Sequence, residues 1–96
     1  MKVEYSKRAV ADLHKISADS RRAFGDRVAE TLEGRIRATI EHISRDPLSA
    51  PEIEQRPGVR AAALVRYPFK ILYRVLEDRV RILHIRHTAR RPWRGS

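Results

Sequence analysis

The chain has no cysteine, one methionine, one tryptophan and, beyond residue 55, only two acidic residues. Without cysteine there is no disulfide framework and no thiolate metal site, and a reducing compartment, the cytoplasm, is the expected setting. No segment approaches the roughly 18 uninterrupted apolar residues of a membrane span, and the opening Met1-Lys2-Val3-Glu4-Tyr5 lacks the apolar run of a secretion signal. Ninety-six residues at 42% apolar content suffice for one domain, residues 1–96, with a single modest core. They are too few for a deep cavity, so any site is expected to be a surface groove, with neither metal nor cofactor.

The scarcity of acid is local. From Arg56 onward eleven Lys or Arg stand against Glu77 and Asp78 alone, whereas the first 55 residues carry ten of each sign, so the whole net charge of +9 lies in the second half. These cations do not form a bare run. They alternate with aromatic and β-branched residues in Tyr67-Pro68-Phe69-Lys70-Ile71-Leu72-Tyr73-Arg74-Val75 and in Val80-Arg81-Ile82-Leu83-His84-Ile85-Arg86-His87. Alternation at period two places them together on the face of a sheet, which reads as a docking surface for an anionic partner.

The rest of the chain divides by its periodicity. Val3 and Tyr5 flank Glu4 in a short strand, and Ser6 stands where a helix N-cap belongs. Ala9, Val10, Leu13 and Ile16 form a helical stripe, which Ser17-Ala18-Asp19-Ser20 interrupts with residues that prefer caps and turns. A second helix is expected from Ser20 to Ser44, with Phe24, Val28, Leu32, Ile36, Ile40 and Ile43 as its buried stripe. Gly25 and Gly34 weaken it by about 1 kcal/mol each. Asp46-Pro47 ends it, because proline disfavours helix in the residue before it and cannot donate to the ladder.

After a loop from Leu48 to Gly58, three strands are expected, Val59 to Val65, Phe69 to Leu76 and Arg79 to His87, with Glu77-Asp78 turning an antiparallel hairpin. The tail from Thr88 to Ser96 is basic, with Trp93 as its one aromatic. The fold class is therefore α+β: a short strand, two antiparallel helices and a three-strand antiparallel meander, the helices on one sheet face and the other face free. Strict alternation sets Leu83 and Ile85 opposite Val80, Ile82 and His84. Either the last strand is covered on both sides or a bulge shifts its register.

These segments resemble the RelE/ParE superfamily of toxins from type II toxin-antitoxin modules, in particular its ParE-like branch. The likeness rests on Ser6-x-x-Ala9-x-x-Asp12-Leu13-x-x-Ile16, on Ile43-x-x-Asp46-Pro47, on Tyr67-Pro68-Phe69-Lys70-Ile71-x-Tyr73-Arg74-Val75, and on Val80-x-Ile82-Leu83-His84-Ile85-Arg86-His87-Thr88-Ala89-Arg90-x-Pro92-Trp93. It implies a β-α-α-β-β-β fold, growth inhibition by the free protein, and neutralisation by a cognate antitoxin, here an acidic ParD-like chain that folds on binding. RelE-like members are ribosome-dependent mRNA endonucleases, whereas ParE-like members poison DNA gyrase by binding.

Metal-free RNA cleavage needs a base for the 2′-hydroxyl, an acid for the leaving oxygen and cations about the phosphorane. Lys70, Arg74, Arg86 and Arg90 are candidates for the cations and His84 or His87 for the proton transfers, with Lys70, Arg86 and His87 foremost. The segment after Arg86, which has no tyrosine, fits the ParE-like pattern better. His84 and His87, three apart on one strand, point to opposite faces and do not make a joint metal or acid/base site. Tyr67, Phe69 and Tyr73 share a face that serves equally as core or as a base-stacking platform. On the opposite face Lys70, Leu72 and Arg74 form an apolar stripe edged by cations, suited to an amphipathic antitoxin segment. Arg60, Arg86, His87, Arg90 and Trp93 complete the expected surface for target or antitoxin. A third reading is a non-toxic basic adaptor that binds nucleic acid and loses affinity steeply with salt.

Overall fold

The computed structural model describes residues 1–88. The elements run β1 (Lys2–Tyr5), α1 (Lys7–Phe24), α2 (Asp26–Arg45), β2 (Val59–Ala63), β3 (Phe69–Val75) and β4 (Arg79–His87), the expected α+β order. Among the described residues no helix is long and apolar enough to cross a membrane.

Ser6 caps α1 as its sequence position predicts. Its extended backbone (φ −69°, ψ 163°) lets Oγ accept the Ala9 N–H at 3.0 Å while donating to the Leu83 carbonyl at 2.8 Å. One hydroxyl thus starts the helix and ties it to the last strand. The interruption expected at Ser17–Ser20 does not occur, because Ser17 and Asp19 find partners within helical geometry and Ser20 is buried. Ser17 Oγ donates to the Glu33 carboxylate, and Asp19 pairs with Lys15 at 3.1 Å and with Arg22 at 2.9 Å. The helices part instead at Gly25, whose φ of 92° is open to glycine and strained for other residues. Arg21 closes the hairpin, bridging to Glu33 at 2.5 Å and Asp26 at 3.3 Å.

Moving the break to Gly25 divides the expected stripe between two helices. Leu32, Ile36, Ile40 and Ile43 are buried as predicted, joined by Ala29, whereas Phe24 and Val28 sit at the hairpin tip, 70% and 41% exposed. The end of α2 falls at Asp46, whose N–H still reaches the His42 carbonyl at 2.9 Å before Pro47 stops the ladder.

The sheet has the order β1-β4-β3-β2. β2, β3 and β4 form the expected antiparallel meander, while β1 pairs parallel to β4, Lys2 with Arg79 through Tyr5 with Ile82, so the sheet is mixed. Leu72 pairs with His84 but Tyr73 pairs with Ile82, which leaves Leu83 as the extra residue of a bulge. The bulge returns Ile85 to the face of Val80 and Ile82, and all three join the helix-side core with Ile71 and Tyr73. The aromatic face is therefore core: Tyr73 is fully buried, its hydroxyl donating to the Pro47 carbonyl at 2.7 Å.

The far face is not wholly free. Val59, Ala61 and Leu72 form a second small cluster with Ile53 and Leu83. The loop carrying Ile53 is laced to β2, Ile53 N–H to the Val59 carbonyl at 2.9 Å and Ala61 N–H to the Pro51 carbonyl at 3.0 Å.

Two carboxylates give the fold an acid limit. Arg79 and then Arg81 hold Glu4 below the ordinary glutamate range, and Arg21 and then Ser17 do the same for Glu33. A carboxylate depressed in the folded state contributes stability that is fully present above its unfolded value and is lost as pH falls through the folded one. The melting temperature should therefore decline as pH drops below about 4.3, the ordinary glutamate value. The E4Q/E33Q double variant should show a shallower acid limb in a melting series against pH; an unchanged limb would mean these pairs do not set it.

Candidate functional site

β4 outruns its neighbour. β1 stops opposite Ile82, and from there to His87 the edge of β4 lies against α1. Asp12 serves that edge: its Oδ2 accepts the Ile85 N–H at 2.9 Å and the His84 Nδ1 hydrogen at 2.6 Å. Arg8 Nη2 lies 3.3 Å from His84 Nε2. Because guanidinium offers only donors and carboxylate only acceptors, this environment orients the imidazole with Nδ1 donating and Nε2 accepting. Asp12 and His84 are each 19% exposed, so the bridge is partly shielded from water. Asp12 is legible beforehand only as a motif position, and its pairing with a residue 72 positions away belongs to the fold.

Beside this bridge a groove of about 620 Å³ opens between the second half of α1, the start of α2 and the β3/β4 end of the sheet. Ile16, Phe24, Val28, Leu32, Tyr67 and Phe69 make it apolar, and Asp12, Lys15, Arg86 and His87 lie along its lip. His87 meets the edge of Phe69 with ring centroids 4.9 Å apart and planes at 78°. The groove's aromatic and aliphatic lining suits an apolar segment better than a polar metabolite. Phe24, read from sequence as core, becomes part of its wall.

The predicted site residues are dispersed. Lys70 and Arg86 are cross-strand partners, as are Arg74 and Arg81. Leu72, expected on an exposed stripe, is 3% exposed beneath Ile53 and Leu83, so it supports the face from inside. Arg60 is turned to the loop, donating to the Ala50 carbonyl at 2.7 Å and pairing with Glu52 at 3.7 Å. Arg74 Nη1 is 3.5 Å from the Pro57 carbonyl and occupies the space that a side chain at Gly58 would need. Arg90 and Trp93 lie outside the described residues. Arg66, not singled out from the sequence, is exposed on the turn before β3 with φ 72°. A lone arginine in a turn carries no local mark of that conformation.

Asp12→Ala should leave the Ile85 N–H and the His84 ring without their acceptor, at a cost of about 1–3 kcal/mol. Urea denaturation would register it as a lower midpoint, with the Ile85 amide exchanging faster than its neighbours in β4. Exchange unchanged at Ile85 would show that water replaces the carboxylate without loss.

A family model described as "ParE toxin of type II toxin-antitoxin system, parDE" matches residues 3–92. None of the individually curated sequences matches the chain. Among solved structures, the chromosomal ParDE toxin-antitoxin system from P. aeruginosa is similar at 26% identity and TM-score 0.79, covering 91% of this chain and 95% of that one. The RelBE2 toxin-antitoxin complex from Mycobacterium tuberculosis is similar at 25% identity and TM-score 0.62, covering 93% and 92%. The intact E. coli RelBE complex, at 16% identity, TM-score 0.59 and coverage of 88% and 92%, shares the fold. With the model spanning the described chain from β1 through β4, the protein belongs to the ParE toxin family of type II toxin-antitoxin systems, within the RelE/ParE superfamily.

Proposed function

We propose that this toxin arrests growth in the cytoplasm by binding DNA gyrase, without a hydrolytic site of its own, and that a ParD-like antitoxin silences it. The observation that carries this reading is the division of the three nuclease candidates between two sides of the sheet. His87 packs on Phe69 toward the helices, while Lys70 alternates onto the opposite face, with Arg86 opposite it at the strand end and bordering the groove as well. A phosphorane needs base, acid and cations around one phosphorus atom, with each proton donor or acceptor within about 3 Å of its oxygen. His84 does not supply the missing group, since Asp12 and Arg8 engage both of its ring nitrogens. An arrangement of separated cations and an apolar groove favours association over proton transfer.

Purified gyrase supercoiling and cell-free translation, run side by side with the same protein, test the target. Supercoiling should be inhibited while messages stay intact. His87→Ala should keep growth arrest within a few-fold of the unaltered chain; its complete loss in a folded variant, with message cleavage by the parent, would transfer the assignment to the ribosome-dependent nuclease.

The antitoxin's place in this reading is the groove. An amphipathic segment, disordered when free, would bury its apolar residues against Phe24, Val28 and Phe69 and order as it docks. Phe24→Glu, at a position 70% exposed and so neutral for folding, should weaken antitoxin capture by about tenfold or more, the scale of a central aromatic anchor. Titration calorimetry would measure it, and capture at parental affinity would place the antitoxin elsewhere.

A further inference from the structure

The cations of the open face are not equivalent, because the acids that could quench them lie at one end of the sheet. Glu4 takes Arg79 at 2.8 Å and Arg81 at 3.0 Å, and Asp78 takes Arg79 again at 2.8 Å. Arg74 turns to the Pro57 carbonyl in the loop before β2, and Arg60, paired with Tyr73 in the ladder, points to the helix side and is held by the Ala50 carbonyl. At the other end, Arg66, Lys70 and Arg86 have no ion-pair or hydrogen-bond partner among the described residues.

Three features mark this end as built for an anion. Lys70 and Arg86 stand directly opposite each other in the ladder, both half-buried, an arrangement that costs stability unless an anion lies between them. Arg66 holds a φ of 72°, which costs a non-glycine residue of order 1 kcal/mol. Its turn is fastened to both strands, Leu64 N–H to the Phe69 carbonyl at 3.0 Å and Thr88 N–H to the Pro68 carbonyl at 2.7 Å.

We propose that this end of the sheet, Arg66, Lys70 and Arg86, contacts the phosphate backbone of duplex DNA, so that the toxin touches the nucleic acid as well as the enzyme acting on it. The choice of duplex DNA rests on the gyrase reading; the choice of phosphate rests on the charges. One carboxylate neutralises one cation, whereas a series of cations on a shallow face with no acid among them calls for an anion that repeats. Arginine grips phosphate through its planar fork and lysine as a point charge, and both are present.

The test is fluorescence anisotropy of the purified full chain with a labelled DNA duplex of about two helical turns, followed across a salt series. K70Q/R86Q should weaken binding by about tenfold or more and flatten the slope of log affinity against log salt by about two, each lost phosphate contact removing about 0.9. Charge-keeping K70R/R86K should restore both, which separates lost charge from a disturbed strand. Arg79→Gln, already neutralised by Glu4 and Asp78, should change affinity less than about twofold.

Parental affinity and slope in folded K70Q/R86Q would overturn the proposal. So would displacement of the duplex by an acidic polyglutamate peptide or an RNA hairpin at lower concentration than by unlabelled duplex, which would assign the surface to that partner. A parallel supercoiling assay keeps the two readings apart. DNA binding that needs Lys70 and Arg86 in a chain inert toward gyrase leaves the contact standing and removes the gyrase target; inhibition of gyrase by a chain that binds no duplex removes the contact alone.

Discussion

The structure turns on how the long last strand is held. β4 pairs with β3 along its length and with the much shorter β1 over its first half only, so the rest of one edge would present bare amides and carbonyls. Two side chains from the start of the chain take that place: Ser6 donates to the Leu83 carbonyl and Asp12 accepts from the Ile85 amide. An edge closed by side chains ends the sheet without inviting another strand. It also carries α1 across the strand and so fixes where the groove opens. The bulge at Leu83 lies in the same stretch, and through it Ile85 rejoins the core face.

From this follows a protein with two differently made surfaces. The helix side offers an apolar groove walled by the hairpin tip and by the aromatic residues leading into β3. The far side offers a sheet whose β2 half is sealed by the loop carrying Ile53 and whose remaining cations are quenched toward the β3–β4 turn and unquenched toward Thr88. An apolar groove draws its affinity from desolvation and a cationic face from counterion release, so the two surfaces can take chemically different partners. A toxin that must meet both an inhibitor and a target has use for two such surfaces.

The net charge of +9 obscures this division. Counted along the chain, the cations of the second half form one class. In space, Arg79 and Arg81 are absorbed by Glu4 from the far end of the sequence and Arg60 and Arg74 by loop carbonyls, whereas on the sheet and its β2–β3 turn, among the described residues, Arg66, Lys70 and Arg86 are left without a side-chain partner. The acid that matters most to β4 comes from the first half, where charge is evenly balanced and attracts no notice.

The sequence alone determined what local physics decides. The Ser6 cap, the stop at Asp46-Pro47, the meander with its turn at Glu77-Asp78 and the buried run of Leu32, Ile36, Ile40 and Ile43 follow from propensities and periods acting within a few residues. Where a choice depended on distant partners, local reading failed or stayed open. Ser17 looked like part of a helix break because its partner Glu33, on the second helix, was not yet placed, and Phe24 looked buried because its helix was misassigned. Leu72 looked exposed because the loop that covers it has no periodicity to read, and the bulge at Leu83 remained one of two alternatives until β3 set the register. The pairing of Asp12 with His84 and Ile85, and the sorting of arginines into quenched and free, exist only once residues some seventy positions apart share an edge, since electrostatic and hydrogen-bond partners are chosen by distance in space.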